Sequence, residues 1–128
     1  CRANVFGKDF DAYRAGVARE VFLVAQIEHI RAVENLESIL SHPRLDAIMV
    51  GPYDLSGSMG FTGQFDHPDF QAVMEKINAT CARMHARMGL HIVQPDPEEL
   101  RRQTAAGARF IAYGIDTVFL WRSAQRPE

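Results

Sequence analysis

The sequence predicts an α/β fold built on a parallel sheet. Four short apolar runs, at residues 21–27, 46–50, 90–93 and 109–113, read as strands, and segments with helical apolar spacing lie between them. Alternation of this kind implies parallel strands joined by crossover helices. The chain of 128 residues is long enough for one domain with a real core.

A helix is expected first, over residues 9–18. The run "VFLVAQI" at 21–27 is nearly continuous and rich in β-branched residues, the mark of a strand buried on both faces. Ile30, Val33, Leu36 and Leu40 then recur at spacings of three and four while Arg31, Glu34 and Glu37 face out, which predicts a helix over 30–40. "DAIMV" at 46–50 reads as a second buried strand. A long helix starts at His67-Pro68, since proline is tolerated in a first turn. Phe70, Val73, Met74, Ile77, Cys81, Met84 and Met88 form its stripe, and Gly89 is expected to end it. The third strand follows at 90–93. "DPEEL" predicts a helix start with Asp96 as N-cap, Pro97 at N1 and Glu99 at N3, a capping-box arrangement, and Gly107 stops that helix. "RFIAY" at 109–113 is the fourth strand, and Asp116 is expected to cap a last helix through Ala124.

Four βα units make either an open sheet or half of a (β/α)₈ barrel, which needs eight units and ~250 residues. The chain begins with Cys and not Met, so either residues were removed or it is a piece of something longer.

Composition narrows the function classes. Apolar residues make up 47%, charged residues 23%, and the net charge is −2, as in a soluble globular protein. Without a basic excess, nucleic acid is a poor candidate partner. No apolar run approaches the ~20 residues of a membrane helix, and no signal peptide is visible. Two cysteines do not make a disulfide scaffold, which points to a reducing, cytoplasmic setting.

In parallel architectures, sites form at the C-terminal ends of strands. Gln26, Glu28 and His29 follow the first strand, and Gly51, Pro52, Tyr53 and Asp54 follow the second. Gln94 and Asp96 follow the third, Gly114 and Asp116 the fourth. If the first two strands are neighbours, Glu28 and Asp54 converge on one patch. Convergent carboxylates repel unless they share a proton or hold a hard divalent cation such as Mg²⁺ or Mn²⁺. No thiol and no close pair of histidines accompanies them, which argues against zinc. The plainer alternatives are that Glu28 caps the following helix and Asp54 closes a turn. In "VGPYDLSGSMG", Gly51-Pro52 stops the strand, and the backbone N–H groups of Tyr53 and Asp54 suit a small carboxylate beside a cation. The glycines Gly57, Gly60 and Gly63 allow tight backbone but do not make a phosphate loop, because no Gly-Lys-Ser/Thr follows.

"QIE" at one strand end, "VENLESIL" in the next helix, "VGPYDLSGSMG", "HP" entering the long helix and "GARFIAYGIDT" together resemble the metal-dependent class II pyruvate aldolases. That family includes 4-hydroxy-2-oxoheptanedioate and 2-dehydro-3-deoxyglucarate aldolases and is related to the β subunit of citrate lyase. The resemblance runs from "RANVFG" to the last helix. It implies a (β/α)₈ TIM-type barrel of which residues 1–128 supply the C-terminal half as a single domain. It also implies that Glu28 and Asp54 ligate a divalent metal (Mg²⁺ or Mn²⁺, with Co²⁺ a further option), that Gln26 contacts substrate, and that the Tyr53 and Asp54 amides hold the substrate carboxylate. The implied reaction is carbon–carbon lysis of a 4-hydroxy-2-oxo acid to pyruvate, or a close 2-oxo acid, and an aldehyde, in a homo-oligomer. No Schiff-base lysine is needed.

In this family the base histidine and an enolate-stabilising arginine come from the N-terminal half, so no catalytic residue is assigned in this chain. His29 and His67 begin helices, His42 lies in "SHPR", His85 on the long helix and His91 in a strand. Cys81, Met74, Met84 and Met88 read as core, Arg101 and Arg102 as a solvated face, and Trp121 as packing on the barrel or a neighbouring subunit. Two other readings stand beside the aldolase: a citryl- or malyl-CoA-type lyase, and a non-catalytic half-barrel that binds a divalent metal.

Overall fold

The computed structural model describes residues 2–124. Its four strands, β1 (Val24–Ile27), β2 (Ala47–Val50), β3 (Met88–Ile92) and β4 (Phe110–Tyr113), form one sheet in sequence order, and every neighbouring pair is parallel. The helices are α1 (Phe10–Glu20), α2 (Ile30–Glu34), α3 (Leu36–Leu40), α4 (Pro52–Ser58), α5 (Pro68–Arg83), α6 (Pro97–Ala105) and α7 (Asp116–Ser123), with a 3₁₀ turn over Arg2–Gly7 ahead of them. The predicted α/β alternation is therefore present.

The register explains the core. Ile27, Val50, Leu90 and Ile111 lie in one row across the sheet. With Ile48 and Ile92 they pack against Val33 of α2, Leu36 of α3, Leu55 of α4, and Phe70, Ile77 and Cys81 of α5. The next row, Gln26, Met49, Gly89 and Phe110, faces the other way because side chains alternate along a strand. There Gln26 is exposed and Phe110 is 49% exposed. Parallel sheets are normally covered on both faces. A sheet with helices on one face, strands in sequence order and an open opposite face has the form of half a (β/α)₈ barrel.

Several boundaries differ from expectation. The first strand starts at Val24, and Val21, Phe22 and Leu23 are exposed, so the predicted two-sided burial of 21–27 does not hold. This strand is at the edge of the sheet, and only Ile27 is fully buried. The helix over 30–40 is broken at Asn35, whose side-chain amide donates to the Arg31 carbonyl at 2.7 Å and competes with the regular ladder.

The long helix ends at Arg83, not at Gly89. His85 takes a left-handed conformation (φ 53°), and the Ala86 N–H donates to the Cys81 carbonyl at 2.9 Å, a Schellman ending without glycine. Met88 and Gly89 thus belong to β3. A Cβ on Gly89 would stand 2.2 Å from the Phe110 carbonyl oxygen, so glycine is needed there for strand approach.

Asp96 does cap α6, accepting from the Glu98 N–H at 2.8 Å, but the box is only half made. Glu99 turns along the helix to Gln103 and Arg102 instead. Asp116 is the first residue of α7 and not its cap. That place falls to Ile115, and Asp116 accepts from the adjacent Thr117 N–H. Trp121 and Leu120 on α7 are 74% and 72% exposed. Among the described residues no helix is long and apolar enough to cross a membrane. Cys1 lies outside the described residues.

Candidate active site

The C-terminal ends of β1 and β2 adjoin. Ile27 pairs with Val50, and the Gly51 N–H donates to the Ile27 carbonyl at 3.1 Å. Glu28 therefore emerges beside Gly51, and Gln26, two residues earlier, projects from the same face. Both side chains occupy space that any other residue at 51 would claim. A Cβ on Gly51 would lie 3.1 Å from Gln26 Nε2 and 3.5 Å from Glu28 Oε2. The backbone of Gly51 is extended (φ −98°), so a Cβ here is opposed by the crowding of these two side chains and not by conformation.

Gly51 is also the N-cap of α4, with Pro52 at N1. A proline there loses only an N–H that no helical carbonyl would have accepted. Asp54 stands in the first turn, and the N–H groups of Tyr53 and Asp54 are among the donors that a helix start leaves without intrahelical partners. The stretch "VGPYDLSGSMG" thus contains a short helix that the sequence pattern did not predict. The Tyr53 ring packs edge-on against Phe65, with centroids 4.9 Å apart, and lies over Gly63.

Glu28 and Asp54 are exposed, and among the described residues neither carboxylate accepts a hydrogen bond or forms an ion pair. The helix after Glu28 is capped by others: His29 Nδ1 accepts from the Arg31 N–H at 3.2 Å, and Ser58 Oγ accepts from the Ile30 N–H at 2.9 Å. Asp54 closes no turn. The two plainer alternatives for these acids lose their support.

The unpartnered Glu28 carboxylate and the Gln26 amide at Gly51, with the unpartnered Asp54 carboxylate in the first turn of the helix that Gly51 caps, offer oxygen donors without thiol or imidazole. That donor chemistry fits a hard divalent cation that keeps open positions for water and substrate. Among the described residues no cluster of three or more His, Cys, Asp and Glu side chains could enclose an ion by itself.

The histidines have other tasks. His67 caps α5, accepting from the Asp69 N–H at 3.2 Å, and stacks on Phe61. His42 accepts from the Arg44 N–H, and His91 Nε2 donates to the Gly114 carbonyl at 3.2 Å. His85 lies at the helix end described above. Cys81 is buried core, and burial pushes its thiol up.

Two serines of "DLSGS" escaped the sequence reading. Ser56 is fully buried, donates to the Tyr53 carbonyl and accepts from the Gly63 N–H, each at 2.9 Å. Ser58 joins α4 to α2. Small hydroxyls spaced by glycine were the only local sign of either.

A family described as HpcH/HpaI aldolase/citrate lyase matches residues 5–123. The chain belongs to this family. It is 34% identical over 125 residues to the 2-keto-3-deoxy-L-rhamnonate aldolase of Klebsiella pneumoniae, covering 98% of this chain and 46% of that protein. It is 38% identical over 124 residues to the hydroxypyruvate/pyruvate aldolase of Chromohalobacter salexigens, covering 96% and 47%. The crystal structure of an HpcH/HpaI aldolase/citrate lyase family protein from Burkholderia cenocepacia superposes with a TM-score of 0.82 at 31% identity, over 95% of this chain and 46% of the other. The chain spans about half the length of the HpcH/HpaI relatives it matches. The family resemblance and the half-barrel expectation both stand.

Proposed function

We propose that this chain carries the metal- and 2-oxo-acid-binding end of a class II aldolase, a carbon–carbon lyase that cleaves a 4-hydroxy-2-oxo acid to pyruvate, or a close 2-oxo acid, and an aldehyde. The observation that carries the reading is the convergence of Gln26 and Glu28 over Gly51, with Asp54 one turn into the helix that Gly51 opens. The family's aldolases support it.

In this reading Glu28 and Asp54 hold a divalent cation, Mg²⁺ or Mn²⁺ with Co²⁺ a further option. Such an ion supplies Lewis-acid polarisation of the 2-oxo group and stabilises the negative charge that develops as the C–C bond breaks. The Gln26 side-chain amide donates to the substrate oxygen that lies over Gly51. The Tyr53 and Asp54 N–H groups take the substrate carboxylate, aligned by the first turn of α4.

None of the described histidines is placed as a base, since each serves a cap, a carbonyl or a helix end. The base histidine and the arginine belong, as the family resemblance implies, to the other half of the barrel. Residues 1–128 form the C-terminal half as a single domain, in a cytoplasmic homo-oligomer.

The test uses the intact protein. Mn²⁺ binding, read as loss of the free-ion paramagnetic resonance signal, is expected for the unaltered protein and lost in Glu28→Gln and in Asp54→Asn. Deuterium from solvent should enter the methyl group of pyruvate only when the metal is bound. If both variants bind Mn²⁺ like the unaltered protein, the site assignment is wrong.

A further inference from the structure

Glu28 and Asp54 are on different elements, and their main chains must be held in one relation for both to serve a single ion. We infer that Ser58 is the positioning residue that fixes this relation, an inference that rests on the metal-site reading above. Its hydroxyl carries one proton, which it donates to the Leu55 carbonyl at 2.7 Å, directly after Asp54. The oxygen then accepts the Ile30 N–H at 2.9 Å, two residues after Glu28.

Ile30 is the first residue of α2, and its N–H is one of the donors a helix start leaves open. His29, the N-cap, satisfies the next donor, Arg31, through its own ring. The first amide of α2, two residues after Glu28, is thus held by a residue 28 positions away in sequence. The same hydroxyl belongs to α4 and donates back within it to the carbonyl one residue past Asp54. A single oxygen therefore ties the two acid-bearing segments together, and it does so from a half-buried position. Outer groups hydrogen-bonded to ligand side chains commonly change metal affinity by about 10–100-fold when removed, and Ser58, which acts through the main chain beside the ligands, should have an effect no larger than the low end of that range.

The experiment measures Mn²⁺ affinity in the intact protein for Ser58→Ala, Ser58→Cys and Ser58→Thr, with Glu28→Gln as the control for the site itself. Hydrogen exchange at the Ile30 amide and thermal unfolding are followed in the same samples. Ser58→Ala should bind Mn²⁺ about tenfold more weakly, and exchange at Ile30 should quicken. Ser58→Thr, which restores the hydroxyl, should recover both. A general loss of stability would lower the melting temperature without that paired recovery. Ser58→Cys keeps the shape with a weak acceptor and should fall between; it carries the test if the alanine variant fails to fold. Unchanged Mn²⁺ affinity in both the Ala and Cys variants, with Glu28→Gln still losing the ion, overturns the role of Ser58 alone. Unchanged affinity in Glu28→Gln overturns the underlying site.

Discussion

Glu28 occupies space that Gly51 leaves empty: the Glu28 Cβ lies 3.3 Å from where a Cβ on Gly51 would be. The two residues sit side by side because β1 and β2 pair in parallel with Ile27 opposite Val50. A strand end that looks like a simple stop is in fact the floor under an acid and an amide.

Gly51→Ala should separate room from conformation. The backbone at 51 suits alanine, so the protein should fold with little change in melting temperature. The added methyl must push the Gln26 and Glu28 side chains slightly aside, and Mn²⁺ affinity should fall. A titration showing full affinity in this variant would mean the two side chains do not need this space.

Ser56→Ala removes a fully buried hydroxyl that serves both Tyr53 and Gly63. Leaving two backbone groups short of a partner should cost about 1–3 kcal/mol in urea unfolding. A loss under about 0.5 kcal/mol would indicate that the 53–63 segment is held some other way.

Gly89→Ala should be among the most damaging single-methyl changes. The new Cβ would meet backbone, the Phe110 carbonyl oxygen, and not a flexible side-chain tip. Strand β4 must move, at about 2–3 kcal/mol or more in the same assay. Wild-type stability in this variant would contradict the Gly89–Phe110 register.

Cys81 should be slow to react with thiol reagents in the folded protein, because only the thiolate attacks and burial disfavours it. The folded pKa lies above the ordinary 9.0, so below that pH both states keep the proton and stability is unaffected. Above it the unfolded chain ionises first, and stability should decline as pH rises. Cys81→Ala should flatten that decline in unfolding measured across pH 8 to about 10. An equal slope in both proteins would assign the decline to other groups.

The placement of the candidate site's acids was legible from order along the chain. Acids that follow two successive strand runs come near one another when the strands are neighbours, and Glu28 does follow β1 directly while Asp54 stands in the first turn of the helix after the adjoining β2. The Asp96 cap was legible too, since a cap acts on residues two or three ahead, and His29 and His67 do begin helices as read, but the cap expected of Asp116 fell to Ile115. Boundaries failed where a residue did an unusual local job. Non-glycine His85 took the left-handed position, and Asn35 interrupted a regular apolar stripe. In α4, seven residues were too few for a periodic signal.

The sequence by itself determined the alternating α/β order, the parallel sheet and which acids end which strands, because periodicity and capping act within a few residues. Tertiary structure alone decided that Gly51 clears space for Gln26 and Glu28, and that Ser58 ties the two acid-bearing segments together. It also decided that Gly89 belongs to a strand pressed against Phe110. Each of these depends on contacts between residues some twenty or more positions apart, where a shared register and not a local pattern sets the distance.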